Sequence, residues 1–329
     1  MSRKIVVCGA GFLGQTIARK MLASTSKPLW RVQLVSRDPH KLHQAIASSV
    51  DTDIRRRLEP PRSVDITEPG ALHMAFDDAD VVVSAVGILT GTPTDFERVQ
   101  WKGAKNVAQA AQAAGAKLIH ISAIGADINS AIPYARTKAL GENAVFDVCP
   151  DATIIRPSIM FGPGDGFFGI VSQRFAVLSK FLPFMPVFGG GHTRFQPVYV
   201  EDVARLVETI AHHEPTVANH VDGKIIEAGG PDVLTYREIM ELVLKHTGRY
   251  RPIVSVPFAI GYLQAMLLER LPPSVLTLTR NQVEQLKSDN VVNGSPPETH
   301  CDFGHMIEEH SGAQLTSVHE ILPKYLPQI

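Results

Sequence analysis

Lys4-Ile5-Val6-Val7-Cys8-Gly9-Ala10-Gly11-Phe12-Leu13-Gly14 is the stretch that decides the fold. An apolar, β-branched run passing directly into glycines spaced GxGxxG reads as a buried parallel strand, a tight turn and the start of a helix. Gly9 permits the turn, Gly11 lets backbone approach a pyrophosphate, and Gly14 lets the helix pack close to the strand. That helix, read from about Phe12 to Ala23, aims its free N–H groups at the anion. Gly9, Ala10, Gly11, Phe12, Leu13 and Gly14 are therefore the expected dinucleotide turn.

The second strand, read over Arg31–Val35, ends in Ser36-Arg37 ahead of Asp38. A carboxylate at this place binds the ribose 2′-hydroxyl of NAD, whereas an arginine accommodates the 2′-phosphate of NADP. Here a hydroxyl and a guanidinium precede the carboxylate, so Ser36 and Arg37 favour NADP(H) over NAD(H).

Strand and helix patterns alternate beyond this point. Ser63-Val64-Asp65-Ile66 reads as a third strand, Asp80–Gly87 as a fourth, Lys117–Ser122 as a fifth and Ala152–Arg156 as a sixth. Helices near Pro69–Phe76, Asp95–Ala114 and Tyr134–Val148 lie between them. The rhythm predicts an α/β fold, a Rossmann-type doubly wound parallel sheet with a smaller C-terminal lobe. Residues 1–160 form the nucleotide-binding domain in this reading, with about 195–230 returning to it, and 161–329 a mostly helical substrate or partner lobe. Glycine and proline punctuate Phe161-Gly162-Pro163-Gly164-Asp165-Gly166 and Gly189-Gly190-Gly191. Thr235-Tyr236-Arg237-Glu238 is a capping box opening a helix to His246, with Gly248 past its end.

Bulk properties narrow the function class. The 329 residues are 44% hydrophobic and 20% charged with a net charge of −1, an ordinary folded composition without the basic excess of a nucleic-acid binder. Arg55-Arg56-Arg57 reads as a solvated surface cluster. Cys8, Cys149 and Cys301 are far apart and form no CxxC, which points to a reducing compartment without a disulfide framework. The 13 histidines include no HExxH, and His212 and His213 are merely adjacent, so no metal site is expected. No run reaches the roughly 18–20 apolar residues of a membrane span. Met1-Ser2-Arg3 before the first strand leaves no room for a signal or transit peptide of usual form.

Tyr134 and Lys138 stand four apart, which on a helix places phenol and ammonium on one face. A nearby cation lowers a tyrosine pKa, so Tyr134 is expected to exchange a proton with a substrate while Lys138 also binds the nicotinamide ribose.

At this point the chain resembles the short-chain dehydrogenase/reductase superfamily in its extended, atypical branch. The resemblance runs through the glycine turn, Asp65-Ile66, Ala85-Val86-Gly87, Tyr134 and Lys138, and Ile155–Pro163 with Pro157 and Ile159 beside the cofactor. It implies Ser122 as the catalytic hydroxyl. Ile121–Asp127, Phe188–Ala204 and Leu286–Val291 are similar to a narrower group. That group holds NADPH-binding accessory subunits of mitochondrial complex I, fungal homologues linked to coenzyme Q synthesis, and bacterial relatives. The likeness implies a mitochondrial site on the matrix side of the inner membrane, or the cytoplasm of a bacterium.

The chain also departs from the superfamily. Its turn is one residue tighter than GxxGxxG, Ala123 and Ile124 follow Ser122 where the hydroxyl often falls, and Gln100 replaces a frequent asparagine. Two readings stand: a tightly bound nucleotide with a partner-binding C-terminal lobe, or an active NADP(H)-dependent oxidoreductase or epimerase-type enzyme. The apolar segments Phe175–Phe188 and Pro257–Leu268 are read as lobe packing, with a quinone-like pocket or a membrane or partner contact as the alternative.

Overall fold

The computed structural model describes residues 2–165, 168, 183–268, 279–295 and 297–326. The chain opens with β1 (Arg3–Cys8), α1 (Phe12–Ala23), β2 (Trp30–Ser36), α2 (His40–Ala47), α3 (Thr52–Arg55), β3 (Arg62–Ser63), α4 (Pro69–Ala75) and β4 (Val81–Ser84). Next come α5 (Pro93–Phe96), a π-helical stretch over Glu97–Lys102, α6 (Gly103–Ala113), β5 (Lys117–Ile121), α7 (Pro133–Val148) and β6 (Thr153–Pro157). They are followed by β7 (Met160–Phe161), β8 (Met185–Phe188), β9 (Arg194–Phe195), β10 (Val198–Tyr199), α8 (Val200–His212) and α9 (Pro215–Val221). The remainder is β11 (Ile225–Ala228), β12 (Leu234–Thr235), α10 (Tyr236–His246), β13 (Ile253–Val256), α11 (Phe258–Leu268), α12 (Arg280–Gln285), β14 (His300–Asp302), α13 (Phe303–Ser311) and α14 (Val318–Tyr325).

These elements form two compact units, each built from three stretches of chain. The first comprises Met1–Pro157, Val200–Ala228 and Asn293–Gln314. Its eight strands lie in the order β14-β11-β6-β5-β4-β1-β2-β3 and every pairing is parallel. Such a sheet is covered by helices on both faces, so its central strands lack alternation. Ile5–Cys8 and Val81–Ser84 are accordingly buried at every position. One face packs Val6, Val82, Leu118 and Ile154 against Val107 and Ala111 of α6 and Val145 of α7. The chain order reverses between β1 and β4, whose carboxyl ends pair at Cys8 and Ser84. Crevices at such reversals are where ligands bind in open α/β sheets.

The second unit comprises Ser158–Tyr199, Gly229–Val292 and Leu315–Ile329. It carries three two-stranded pairings, β7 with β10, β9 with β12 and β8 with β13. Phe161, Val187, Phe195, Met240, Val243 and Leu322 are among its core residues. The capping box forms as read: Thr235 Oγ1 accepts from Glu238 N, and α10 ends at His246.

Three local readings change. The third strand pairs only over Arg62–Ser63, because Asp65 beyond it turns back on Thr67. The long helix after β4 is interrupted by the π-helical turn. A segment read within the C-terminal lobe, Asn293–Gln314, instead supplies β14 and α13 to the sheet unit.

Candidate dinucleotide site

The turn after β1 has the geometry an anion needs. Gly9 takes φ +124°, and a Cβ there would sit 2.9 Å from the backbone of Ala85. Gly14 lies so close to the turn that a Cβ would meet Gly9 O at 1.8 Å. Around Gly11 there is open space: nothing lies within 4 Å of its Cβ position. Gly11 is also the N-cap of α1, without a side-chain cap and with no acidic residue in the first turn. Free helix N–H groups and an open glycine together form an anion cradle. Leu13 is buried beneath it. Ala85 N donates to Cys8 O at 2.8 Å, which seats Ala85-Val86-Gly87 against the turn.

At the end of β2, Gly9 N donates to Val35 O at 2.8 Å. Ser36 Oγ next to this contact is buried and has no hydrogen-bond partner. Arg37 beside it is exposed. Ser36 pairs in register with Ser63, whose Oγ lies 3.1 Å from His40 Nε2. Asp65 accepts from Thr67 N and Thr67 Oγ1, both at 2.9 Å. That backbone bond foremost, with Arg37 and Arg98 nearby, holds its carboxyl below the usual range. Ile66 is buried beside Gly103, where a Cβ would meet Ile66 Cδ1 at 2.6 Å.

Of the residues read as chemical, Lys138 reaches the ends of β4 and β5 from α7, Ser122 follows β5, and Tyr134 lies in the first turn of α7. Lys138 is buried, and its Nζ donates to Ile121 O at 3.0 Å. A Cβ on Gly87 would lie 3.4 Å from Lys138 Nζ and 3.8 Å from Gln100 Oε1, so the three meet after β4. Burial lowers the Lys138 ammonium to about 8, opposed by the Glu142 carboxylate. Tyr134 sits edge-on to Phe96, ring centroids 6.1 Å apart. Its phenol is pushed up to about 12 by burial. This corrects the expectation of a lowered tyrosine: loss of water around the phenol is the effect that governs here. Ser122 Oγ is buried without a partner.

Two neighbours complete the cluster. Gln100 Nε2 donates to Thr137 Oγ1 at 2.9 Å and to Tyr134 O at 3.3 Å, while its Oε1 is buried and unpaired. Gln100 therefore ties the π-helical turn to the first turn of α7. His120 on β5 was not anticipated, although a titratable side chain inside Lys117-Leu118-Ile119-His120-Ile121 is itself a signal. Both its ring nitrogens are buried and unpartnered. Burial first and Lys138 second lower its imidazole to about 3, so it stays neutral.

Pro157 is the last, buried residue of β6, and its carbonyl accepts from Ile124 N at 3.0 Å. Ile159 belongs to the second unit, where its N–H donates to Asn290 Oδ1 at 3.1 Å and its carbonyl accepts from Val198 N. The flanking motifs of the resemblance prove to be joined to one another there. Asn290 Oδ1 also accepts from Ser158 Oγ at 2.6 Å, and Asp289 pairs with Arg194 at 2.8 Å. Of the apolar segments, 175–182 and Glu269-Arg270 lie outside the described residues. The face of α11 carrying Ile260 (54% exposed) and Leu263 (56%) is open to solvent, so packing accounts for only part of it.

Orphaned polar atoms of Ser36, Gln100 and Ser122, with the glycine cradle, fit a dinucleotide laid along the carboxyl ends of β2, β1, β4 and β5. A doubly wound sheet with such a turn at its switch point defines a nucleotide-binding α/β protein. A model of the NAD dependent epimerase/dehydratase family matches residues 5–224, and the chain belongs to that family. It is 27% identical over 293 residues to NADH dehydrogenase [ubiquinone] 1 alpha subcomplex subunit 9, mitochondrial, of Arabidopsis thaliana, covering 86% of this chain and 69% of that one. Ceramide reductase of Caulobacter vibrioides is 33% identical over 207 residues, 61% of this chain and 58% of its own. Among solved structures, the dTDP-glucose 4,6-dehydratase DesIV of Streptomyces venezuelae superposes with a TM-score of 0.69 at 19% identity, covering 98% of this chain and 95% of that one. That likeness establishes the fold.

Proposed function

We propose that the protein holds NADP(H) tightly in its first unit and serves as an accessory component of a respiratory complex I or coenzyme Q synthesis assembly. The observation that carries the nucleotide choice is Ser36 Oγ, buried and unpartnered next to Arg37 where a 2′-phosphate belongs. Backbone N–H groups of Phe12, Leu13 and Gly14 would take the pyrophosphate, and Asp65 and Ile66 the adenine end. The relatives named as mitochondrial NADH dehydrogenase subunits support the assembly role and a mitochondrial location, for which the matrix side of the inner membrane is our reading. The exposed apolar face of α11 supports a partner or membrane contact through the second unit. In a bacterial host the same protein would be cytoplasmic.

A second reading rests on a separate observation. Ser122 Oγ is buried and unpaired, next in sequence to Ile121 whose carbonyl accepts from Lys138 Nζ, as a hydroxyl awaiting a substrate oxygen would be. When bound, the nicotinamide supplies or accepts the hydride. Tyr134 then holds the proton at its phenolic oxygen, Lys138 orients the ribose, and Ser122 polarises the carbonyl. The Caulobacter relative named as a reductase favours this reading. Ceramide-like ketones, quinone precursors and sugar nucleotides are the substrates to try.

The deciding experiment identifies the nucleotide that co-purifies with the full chain by mass spectrometry, then follows its absorbance with those substrates. Stoichiometric NADPH that never oxidises supports the accessory role. Turnover lost in Tyr134→Phe establishes the enzyme instead, and NADH in place of NADPH overturns the cofactor assignment.

A further inference from the structure

The first unit contains a second group of donors, remote in sequence from the nucleotide turn. His220 lies near the end of α9, and Glu309 and His310 lie in the last turn of α13. One ligand atom from each of the three falls within 4.8 Å of the others. Glu309 Oε2 is 3.6 Å from His310 Nε2 and 3.3 Å from His305 Nδ1. His310 Nε2 is sealed from solvent and makes no hydrogen bond, on a side chain only 13% exposed. The His220 and His310 rings approach to 6.2 Å between centroids.

We propose that His220, Glu309 and His310 bind a zinc ion that clips α13 to α9. Two imidazole nitrogens and a carboxylate oxygen form a zinc donor set, and imidazole disfavours calcium and magnesium. Ligand atoms about 2.0–2.2 Å from a tetrahedral ion lie roughly 3.3–3.6 Å apart. The Glu309–His310 spacing already meets that value, and a side-chain rotation of His220 closes the rest. His305, whose Nδ1 lies 3.3 Å from the same Glu309 oxygen but which is not part of the three-residue group, would hold the carboxylate from outside the metal shell. Cys301 Sγ donates to His220 O and so holds the histidine backbone in place. The fourth position is left to water.

The clip joins residues about 90 apart in sequence, and cross-links across long loops restrict the unfolded chain most. Its effect falls on the segment that returns β14 to the sheet edge. Linear reading misses the site because no short spacing connects His220 with His310.

The test is calorimetric titration of the chelator-washed full chain with zinc chloride, with magnesium chloride as comparison. The expected result is one zinc per chain, a raised unfolding temperature, no magnesium binding, and at least about 10-fold weaker zinc binding in His220→Asn and in His310→Asn. His73→Asn on α4 should leave it unchanged. Circular dichroism and nucleotide titration show that each variant is folded. No saturable zinc binding, or zinc binding that survives both substitutions in folded protein, overturns the proposal.

Discussion

Arg37 and Lys138 are the single side chains at which the proposed NADP(H) site is most directly tested. If the site takes NADP(H) as proposed, Arg37→Ala would remove a charge-assisted contact of about 1.5–3 kcal/mol to the 2′-phosphate. NADPH binding should weaken about tenfold or more while NADH binding stays level, as read by fluorescence titration of both nucleotides. Lys138 is charged only below about pH 8, since burial brings it down from 10.5. Any nucleotide contact or turnover that uses its ammonium should therefore fall with a midpoint near pH 8, measured as affinity or rate against pH. His120 acts on stability. Its folded value of about 3 lies below the ordinary 6.5, so between these pH values the unfolded chain takes up a proton that the folded chain refuses. Stability from this group is complete above about pH 6.5 and is lost toward pH 3, by about 1.4 kcal/mol per unit. Urea unfolding between pH 6 and 4 should show a shallower loss of stability in His120→Leu than in the wild type, by up to about 1.4 kcal/mol per unit. Glycine spacing is legible because backbone geometry at Gly9 and Gly14 demands that residue type. The raised Tyr134 and neutral His120 are not, because desolvation depends on neighbours brought in from other elements.

Among elements, one tight constraint lies between α7 and the π-helical turn. A Cβ on Gly141 would meet Gln100 O at 2.3 Å, and Gln100 Nε2 bonds Thr137 one turn earlier on α7. Gly141→Ala should push the two apart, costing about 1–3 kcal/mol and weakening nucleotide binding together, as seen by thermal unfolding and titration. Gly14→Ala drives a methyl against Gly9 O and should abolish nucleotide binding outright. The helix after β4 was readable as a helix from its alanine-rich pattern, yet its π turn was not. One extra residue in a turn leaves no periodic trace in six residues, although such turns gather at functional sites. The capping box at Thr235 was readable in full, since its chemistry is confined to four consecutive residues.

At the scale of the whole molecule, the parallel sheet and its strand order follow from the βα rhythm, but its last strand does not. His300-Cys301-Asp302 has no apolar run, and it pairs with β11 only because the chain returns after a long excursion. Truncation after Val292 removes β14, α13 and α14, strips the β11 edge and removes Val318, Ile321 and Leu322 from the second core. The truncated protein should be insoluble or lose cooperative unfolding, tested by expression and calorimetry. The interleaving of the two units also sets a timetable for synthesis. The nucleotide turn and six strands emerge by Pro157, long before β14 leaves the ribosome. At about 5–20 residues per second the sheet waits on the order of ten seconds with an open edge. A nucleotide captured by the early strands would be on board before the final one arrives, making the cofactor a participant in the birth of the fold.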